Sequence, residues 1–488
     1  MASSMLLFFL ASLLVNVTAS LPPDYTTVSR DVVVIGGGSS GTYAAVNLLA
    51  HGRTVAVLEQ QGRLGGHVET YIDPATGAPS NIGVIDFYNN SINQAYFSLL
   101  GVPTAPVPQT ATGEVYLDLA TGETVPKFDA EAQIDSFLPA VLAYAAYVNA
   151  TYPYLTLSYE NLSYPIPDEL LEPFTVFAAR HNFTAMLQFY ESLTQNIGNL
   201  WQLPTYHGIH ALDPKLVEFT FVGFINAASG NNQDIYTAAA TYLGAQNVFL
   251  NSTVLGVDRS GGCFGLEEGG SDTSDVCVLS TSPSSSGNQT TLVKARKLLV
   301  AIPPTLASLA SAHIDLDAQE RAVFSKFHGF TYGVTVFAHP GLNTSNTYTN
   351  IGAQTPDNLP SLPGAFSYQP LPSAPGRLAA WFGALAESGW TDADVEGLIR
   401  GEIARLIANG NAAGDPADVV FDFLKIHAPF RLSARPHDVA DGFYKELYAL
   451  EGRRNTFWTG AAWSEQDSSQ IWWWSELSLL PKIEAALN

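Results

Sequence analysis

The chain has 488 residues, of which 47% are apolar and 14% charged, with 40 Gly and 29 Pro. This composition is typical of a large globular protein and argues against an intrinsically disordered chain. Lys and Arg number 22 against 45 Asp and Glu, giving a formal charge of −23, and this excess of negative charge argues against nucleic acid binding.

The N-terminal segment predicts export. In MASSMLLFFLASLLVNVTAS, an apolar run precedes small residues, so we expect a signal peptide over residues 1–19; a signal anchor is the alternative. The apolar run is shorter than the roughly 20 residues needed to span a bilayer, and we expect no stable membrane span elsewhere. Asn-x-Ser/Thr sequons, which predict N-glycosylation of a secreted or lumenal protein, begin at Asn89, Asn149, Asn161, Asn182, Asn251, Asn288 and Asn343.

Residues 31–59 predict a nucleotide-binding unit. After the apolar strand DVVVI, Gly36, Gly38 and Gly41 stand in G-x-G-x-x-G spacing before an alanine-rich helix. The first glycine permits a tight turn, the second lets backbone N–H groups approach a pyrophosphate, and the third lets the helix pack close to the strand. Glu59 ends the next strand, where a carboxylate can accept hydrogen bonds from the adenosine ribose. The order of these features predicts a Rossmann-like domain.

The following segment, RLGGH, indicates which dinucleotide is bound. Arg63, Gly65 and Gly66 resemble the R-x-G-G doublet of FAD proteins in the flavin-containing amine oxidase superfamily, whose second turn closes over the same pyrophosphate. This resemblance implies FAD as the cofactor. His67 stands where the superfamily often has arginine, and either a cofactor contact or a structural role is open for it.

The middle of the chain predicts helices and then a β-meander. Apolar spacing in 128–200 is mostly helical, which predicts an inserted helical region. Segments 247–259 and 277–302 have strand character around a turn rich in Ser, Pro and Gly. In an oxidising compartment Cys263 and Cys277 could form a disulfide that pins this meander, with two free thiols as the alternative. Two cysteines cannot form a metal cluster, and we predict no metal site.

The last third of the chain predicts an antiparallel sheet, because 329–339, 365–371 and 376–385 are aromatic and β-branched runs separated by Pro and Gly. KLLVAIPPTL, 297–306, resembles the superfamily strand that ends in A-x-P-P. NTFWTGAAW, 455–463, resembles the C-terminal strand and turn beside the flavin. The resemblance implies cofactor contacts from Gly460, Ala461, Ile471 and Trp472, although the usual acidic residue after the glycine is replaced by alanine.

The whole chain resembles secreted fungal FAD-dependent oxidoreductases similar to the β-cyclopiazonate dehydrogenase family, through RLGGHVETYIDPATG, the A-x-P-P strand and TGAAWSEQDSSQIWWWSELSLL. The implied fold is α/β: a Rossmann-like FAD-binding domain of the glutathione reductase type, with a mixed α+β substrate domain containing an antiparallel sheet and a helical insertion. We assign 20–95, 240–310 and 445–488 to the FAD-binding domain, and 96–239 and 311–444 to the substrate domain.

The expected function is FAD-dependent oxidation of a C–N or C–C bond in a small, largely apolar metabolite, possibly followed by cyclisation. Oxygen is the expected acceptor because no second G-x-G-x-x-G unit offers a site for a pyridine nucleotide. One alternative is a redox-neutral double-bond isomerase of unsaturated fatty acids, as found in the same superfamily. Another is a non-catalytic binding protein on a flavoprotein scaffold. Noncovalent flavin is favoured, and the oligomeric state is not predicted.

The predicted substrate pocket lies between the strand-rich middle and the helical insertion. Tyr332, Phe337, Trp381 and His207 are its candidate residues, although aromatic residues at strand spacing also pack protein cores. His339 lies near the position where many amine oxidases carry a lysine above the reactive flavin nitrogen, so it is the candidate base or water-holding residue. A surface histidine at the end of a strand is the alternative.

Overall fold

The computed structural model describes residues 24–107, 112–125, 130–266, 276–284, 287–385, 387 and 389–488. The predicted signal peptide, residues 1–19, lies outside them. The strands are β1 (Thr26–Ile35), β2 (Val55–Leu58), β3 (Thr70–Ile72), β4 (Pro79–Asn81), β5 (Phe87–Tyr88), β6 (Thr104–Pro106), β7 (Gly113–Asp118), β8 (Glu123–Thr124), β9 (Phe224–Ala227), β10 (Val248–Phe249), β11 (Thr253–Asp258), β12 (Val276–Ser284), β13 (Gly287–Val300), β14 (His328–Ala338), β15 (Asn346–Asn350), β16 (Gly364–Pro370), β17 (Leu378–Ala384), β18 (Val420–Ser433) and β19 (Thr456–Trp458).

The helices are α1 (Ser39–Ala50), α2 (Ser91–Leu99), α3 (Ala130–Thr151), α4 (Asp168–Leu171), α5 (Phe174–Arg180), α6 (Leu187–Leu193), α7 (Thr205–Ala211), α8 (Pro214–Val222), α9 (Gln233–Leu243), α10 (Leu306–Ser311), α11 (Ala318–Phe324), α12 (Asp392–Ala408), α13 (Pro436–Ala440), α14 (Phe443–Tyr448), α15 (Ser468–Trp474) and α16 (Leu480–Leu487). A π-helical turn, Ser475–Leu479, joins the last two. Residues 468–487 are therefore helical throughout, with π-helical geometry at this turn.

The first sheet carries the predicted Rossmann unit. Strands β10, β2, β1 and β13 lie side by side in parallel, and β19 pairs with the end of β13. The residues at the end of β1 are all buried, as expected for a parallel strand covered on both faces. Strand β1, α1 and β2 follow the predicted order, and the Rossmann-like fold class is confirmed.

A β-meander extends the other side of this sheet. Strands β11, β12 and β13 pair antiparallel in sequence order, as the strand-like runs predicted. Cys263 and Cys277 form the predicted disulfide, and both side chains are buried. The bond ties β12 to the turn that follows β11.

The second sheet has the strand order β18-β14-β17-β16-β15-β7-β8, and the central strands β18, β14, β17 and β16 pair antiparallel. The three aromatic runs predicted as strands form β14, β16 and β17. Side chains alternate between the faces of a strand, so Tyr332 and Trp381 share one face with Phe366, whereas Phe337 packs on the other face with Tyr368.

This alternation corrects the expectation for Phe337. Its side chain is fully buried in the hydrophobic cluster between the second sheet and α12, which includes Leu378 and Ile399. It therefore stabilises the sheet and does not face the pocket.

The helical insertion, α3 to α8, packs into the same hydrophobic core as the Rossmann sheet; Tyr144, Phe174 and Tyr190 are among its fully buried side chains. Among the described residues, no helix is long and apolar enough to cross a membrane, and no cluster of three or more His, Cys, Asp or Glu side chains could hold a metal ion. All seven sequon asparagines are exposed, a position that their predicted glycosylation requires.

Candidate cofactor and substrate site

The G-x-G-x-x-G turn forms one wall of a long cavity at the end of the parallel strands. Gly36, Gly38, Ser39 and Ser40 line it. Gly38 is the N-cap of α1 and contributes no side-chain hydrogen bond to the first turn, so the unpaired N–H groups of that turn and the positive end of the helix dipole remain available for an anion. A diphosphate fits this wall.

Gly41 has a different role from the other two glycines. It does not belong to the cavity wall; a Cβ built on it would lie 2.1 Å from the Gly36 carbonyl oxygen and 2.9 Å from Cβ of Ala301. Its missing side chain lets α1 lie close to β1 and β13, as the third glycine of the motif was predicted to do.

Glu59 lies at the end of β2 and lines the same cavity. Its carboxylate oxygens accept hydrogen bonds from the backbone N–H groups of Gly37 and Gln61, each at 2.7 Å. These bonds hold the carboxylate in place beside the glycine turn. Its remaining acceptor positions suit the ribose hydroxyls of an adenosine, the role predicted for it.

The second glycine turn closes over the first. Gly65 and Gly66 both line the cavity, and the Gly65 N–H donates to the Gly37 carbonyl at 2.8 Å. Gly66 has φ +57, and a Cβ on it would lie 3.0 Å from the Gly38 Cα, so only glycine allows the two turns to approach this closely.

Arg63 lies behind this second turn and is not part of the cavity wall. Its guanidinium donates to Gln233 Oε1 at 2.7 Å and pairs with Glu69 at 2.9 Å. This corrects the expectation of a direct cofactor contact: Arg63 fixes the turn that carries Gly65 and Gly66.

Ser39 connects the start of α1 to the C-terminal helix. Its hydroxyl lies 2.9 Å from Ser468 Oγ and accepts hydrogen bonds from Trp472 Nε1 and Tyr236 Oη, each at 3.0 Å. Ile471 lines the cavity, whereas Trp472 is fully buried and stacks on Tyr43. The expectation for Trp472 is therefore corrected, since it supports Ser39 from behind the wall.

A further part of the cavity wall, next to the glycine turn, comes from the two segments that resemble flavoprotein strands. Ala301 to Pro304 of the A-x-P-P segment line it together with Thr459, Gly460, Ala461 and Ala462. Thr459 Oγ1 is buried and has no hydrogen-bond partner within the described protein, although buried hydroxyls are normally paired. This orphaned polar atom, the uncapped helix and the glycine cradle together fit an FAD molecule.

A second cavity adjoins the first and has the position expected for a substrate pocket. His67, Val84, Gln466 and Ser468 line both cavities, so the two are continuous. The second cavity also brings together Tyr332 and Trp381, as predicted, with His427 and Phe430 of β18. Trp381 Nε1 donates to the Ile82 carbonyl at 3.0 Å, which fixes its ring in the wall.

His67 and His427 form a pair of rings at the junction of the two cavities, with centroids 4.1 Å apart. His67 is exposed to the open cavity, and desolvation by the surrounding protein, followed by the charges of Lys425 and Arg63, lowers its pKa to about 4. Burial and the neighbouring His67 hold the pKa of His427 well below its usual range. Both imidazoles are therefore neutral near physiological pH and can accept hydrogen bonds, and both resist protonation. His427 was not predicted, because nothing near it in sequence marks it.

Two carboxyl groups, those of Asp86 and Asp467, also line the substrate cavity. Burial and the charge of Asp467 raise the pKa of Asp86 to about 7, and burial raises the pKa of Asp467 to about 6. Asp467 also caps α15 by accepting from the Gln470 N–H at 2.9 Å. The substrate cavity thus contains both neutral imidazoles and weakly acidic carboxyl groups.

His207 does not reach the substrate cavity, which corrects its expected role. It is buried on α7, 2.6 Å from Tyr159 Oη through Nδ1, and its Nε2 accepts from Arg431 Nε at 3.1 Å. Arg431 lines the FAD cavity and pairs with the buried Glu465. His207 therefore positions the Arg431 guanidinium beside the cofactor site. The two residues are more than two hundred positions apart in the chain, so the sequence does not indicate this contact.

His339 also lies away from both cavities. Its ring is buried beyond the end of β14, with Nε2 2.9 Å from the Asp415 carbonyl oxygen, and the Gly341 N–H donates to its Nδ1 at 3.2 Å. These contacts make it a structural residue of the outer end of the sheet, so the expectation of a catalytic base there is corrected.

Comparisons with known proteins agree with this geometry. Residues 34–99 match the family model described as an NAD(P)-binding Rossmann-like domain. The chain is 36% identical to the FAD-dependent oxidoreductase dpchF of Colletotrichum higginsianum, over 94% of each chain. It is 28% identical to the β-cyclopiazonate dehydrogenase of Aspergillus oryzae, over 92% of each.

Solved structures of low sequence identity share the fold. The fatty acid isomerase of P. acnes that produces CLA superposes with a TM-score of 0.70 at 16% identity, covering 92% of this chain and 97% of the isomerase. Putrescine oxidase with bound putrescine gives a TM-score of 0.62 at 16% identity, covering 94% and 100%. The glycine cradle, the continuous cavities and the whole-chain relatives agree, and the chain belongs to the fungal family of FAD-dependent oxidoreductases.

Proposed function

We propose that the protein oxidises a C–N or C–C bond of a small, largely apolar metabolite and passes the electrons to molecular oxygen. The observation that carries this proposal is the continuity of the two cavities, which share His67, Val84, Gln466 and Ser468. A molecule held against Tyr332 and Trp381 would lie next to the space that suits the flavin ring.

The protein's own residues supply binding and proton transfer in this proposal. When bound, FAD supplies two-electron chemistry, accepting a hydride from the substrate and passing the electrons to oxygen to give hydrogen peroxide. The aromatic rings of Tyr332, Trp381 and Phe430 orient an apolar substrate. Asp86 and Asp467, whose pKa values are raised to about 7 and about 6, are matched to take up the proton that leaves the oxidised bond. The neutral imidazoles of His67 and His427 can accept hydrogen bonds from the substrate.

Oxygen reactivity can be tested without knowing the substrate. The purified holoprotein is reduced anaerobically with dithionite and mixed with air-saturated buffer, while flavin absorbance and hydrogen peroxide are followed. We expect rapid reoxidation with one equivalent of peroxide per flavin. Reoxidation no faster than that of free reduced FAD contradicts the oxygen acceptor.

A redox-neutral isomerase is the second candidate, favoured by the TM-score of 0.70 with a fatty acid isomerase. Incubating the holoprotein with linoleic acid separates the two functions. An isomerase changes the conjugated-diene absorbance and leaves dissolved oxygen constant, whereas an oxidase consumes oxygen with its substrate.

We also propose that the chain acts in the secretory pathway or outside the cell. Support comes from the leader sequence, the exposed sequon asparagines and the buried disulfide, since disulfides persist in oxidising compartments. Expression of the full chain in a fungal host tests this. Protein in the medium whose mass falls on glycosidase treatment is the expected result, and unglycosylated protein retained in the cytosol contradicts it.

A further inference from the structure

A third cavity adjoins the substrate cavity on the side away from the FAD site, and we name it the outer chamber. Gln188, Glu191 and Ser192 of α6 line one side, and strands β15 and β16 line the other. Ser192, Gln195 and Gln369 belong to the walls of both the outer chamber and the substrate cavity. The three cavities therefore form one continuous path from the glycine turn to α6.

Glu191 is the unusual residue of the outer chamber. Its side chain is only 9% exposed, and among the described residues no hydrogen bond or ion pair engages its carboxyl group, which lines the chamber. No Lys or Arg belongs to the chamber wall. Since this carboxyl group has no partner in the described part of the protein and opens on the chamber, water or a bound molecule in the chamber must satisfy its hydrogen-bonding capacity.

The two asparagine side chains of the wall do not fulfil this role. The Asn350 side chain donates to the Ala365 carbonyl at 2.7 Å and accepts from the Leu119 N–H at 3.0 Å. The Asn358 side chain donates to the Gly352 carbonyl at 3.2 Å. These amides hold the loops of the second sheet, whereas Glu191 is held by nothing within the described protein.

We infer that the outer chamber holds the polar end of the substrate and that Glu191 recognises a neutral hydroxyl or carbonyl group on it. This inference rests on the proposed function and specifies its substrate class. The substrate is an elongated molecule whose reacting end lies against Tyr332 and Trp381 and whose oxygenated end reaches α6.

The protonation state of Glu191 explains the preference for a neutral group. Burial raises the pKa of Glu191 to about 8, so the carboxyl group is protonated near neutral pH and offers both an O–H donor and an acceptor oxygen. A hydroxyl can use both, and a carbonyl can accept the O–H. An ammonium group would require the ionised form, which burial disfavours.

The test uses holoprotein and three series of probes with increasing chain length: ω-phenylalkan-1-ols, the corresponding phenylalkanes and the corresponding ω-phenylalkylamines. Binding is measured near neutral pH from the flavin absorbance difference spectrum. At the chain length that reaches α6, we expect the alcohol to bind about tenfold more tightly than the hydrocarbon, the size of one good hydrogen bond.

Substitutions of Glu191 test whether this residue causes the tighter binding of the alcohol. Glu191→Leu should abolish the advantage of the alcohol, whereas Glu191→Gln should keep most of it because an amide also donates and accepts. Glu218→Gln is the matched control, since Glu218 is on the exposed side of α8, paired with Lys215, and should change nothing.

Several results would overturn the inference. They are equal binding of alcohol and hydrocarbon at every length, an advantage of the alcohol that survives Glu191→Leu, and preferential binding of the amines that is lost in Glu191→Gln. In each case a holoprotein that still produces peroxide on reoxidation leaves the proposed oxidase function standing. Protein without bound FAD would reject both together.

Discussion

The FAD cavity and the substrate cavity are built in different ways. Most of the FAD cavity wall comes from short stretches, 36–40, 59–61, 65–67, 301–304 and 459–462, in which glycines are frequent. The substrate cavity also uses two short stretches, 82–86 and 466–468, but joins them to one to three residues from each of α6, β14, β16, β17 and β18, which are far apart in the chain. A site built from backbone groups restricts the residue type at several neighbouring positions of the sequence. A site built from side chains restricts only a few separate positions, each in a different helix or strand.

Phe337→Ala should have the largest effect on stability. The sequence placed Phe337 in the substrate pocket, whereas the structure places it on the opposite face of the second sheet. Phe337→Ala removes a fully buried ring from the cluster with Tyr368 and Leu378, so we expect a loss of about 3–5 kcal/mol in the free energy of unfolding. Tyr332→Phe, on the cavity face of the same strand, should change it by less than about 1 kcal/mol. Denaturant unfolding measures both changes. Equal losses of stability in the two variants would contradict the placement of Phe337 and Tyr332 on opposite faces of the sheet.

Within the glycine motif, Gly41→Ala should act on folding. Its Cβ would lie 2.1 Å from the Gly36 carbonyl oxygen, and we expect a cost of about 3 kcal/mol from this overpacking. Gly397→Ala is the control: no atom lies within 4 Å of its added Cβ, and at its position inside α12 alanine should stabilise the protein by up to about 1 kcal/mol. Thermal unfolding of the two variants should shift in opposite directions.

Glu59→Gln should weaken cofactor binding and also loosen the glycine turn. The carboxylate accepts from the Gly37 and Gln61 N–H groups through its two oxygens, whereas an amide has one oxygen and leaves one of these N–H groups unpaired. We expect FAD to bind about tenfold more weakly. Fluorescence titration of apoprotein with FAD measures this. Unchanged affinity, with normal unfolding, would remove Glu59 from the cofactor site.

The smallest expected effect is on the pH dependence of stability. It tests the protonation state of Glu191, which lines the outer chamber. Burial raises the pKa of Glu191 to about 8 in the folded protein, against about 4.3 in an unfolded chain. The folded state therefore binds the additional proton between these values, and stability falls as the pH rises through that range. Going from about pH 8 to about pH 7 should add about 1 kcal/mol through Glu191.

Comparing the pH dependence of unfolding for Glu191→Gln and Glu218→Gln isolates this contribution. The first variant should lose that part of the slope, and the second should follow the unchanged protein because Glu218 is half-exposed and paired with Lys215. Identical slopes for all three proteins would mean that Glu191 is ionised in the folded state.

The sequence predicted the parts of the site that depend on local geometry. Gly36, Gly38, Glu59, Gly65, Gly66, Gly460 and Ala461 all lie at the FAD cavity. A tight turn, a close backbone approach and a helix N-terminus each require particular residues within a few positions. The predicted disulfide and the antiparallel sheet also follow from spacing within single segments.

Only the tertiary structure decided which side chains meet in the substrate cavity. Five residues separate Tyr332 from Phe337, and strand alternation places them on opposite faces. His427, Asp86 and Glu191 reach one continuous path although no spacing in the sequence relates them. Local backbone geometry requires particular residue types at neighbouring positions, so it can be recognised in the sequence. The substrate pocket depends on long-range packing instead. Each helix or strand contributes a few residues to it, and the local sequence does not distinguish these from core residues.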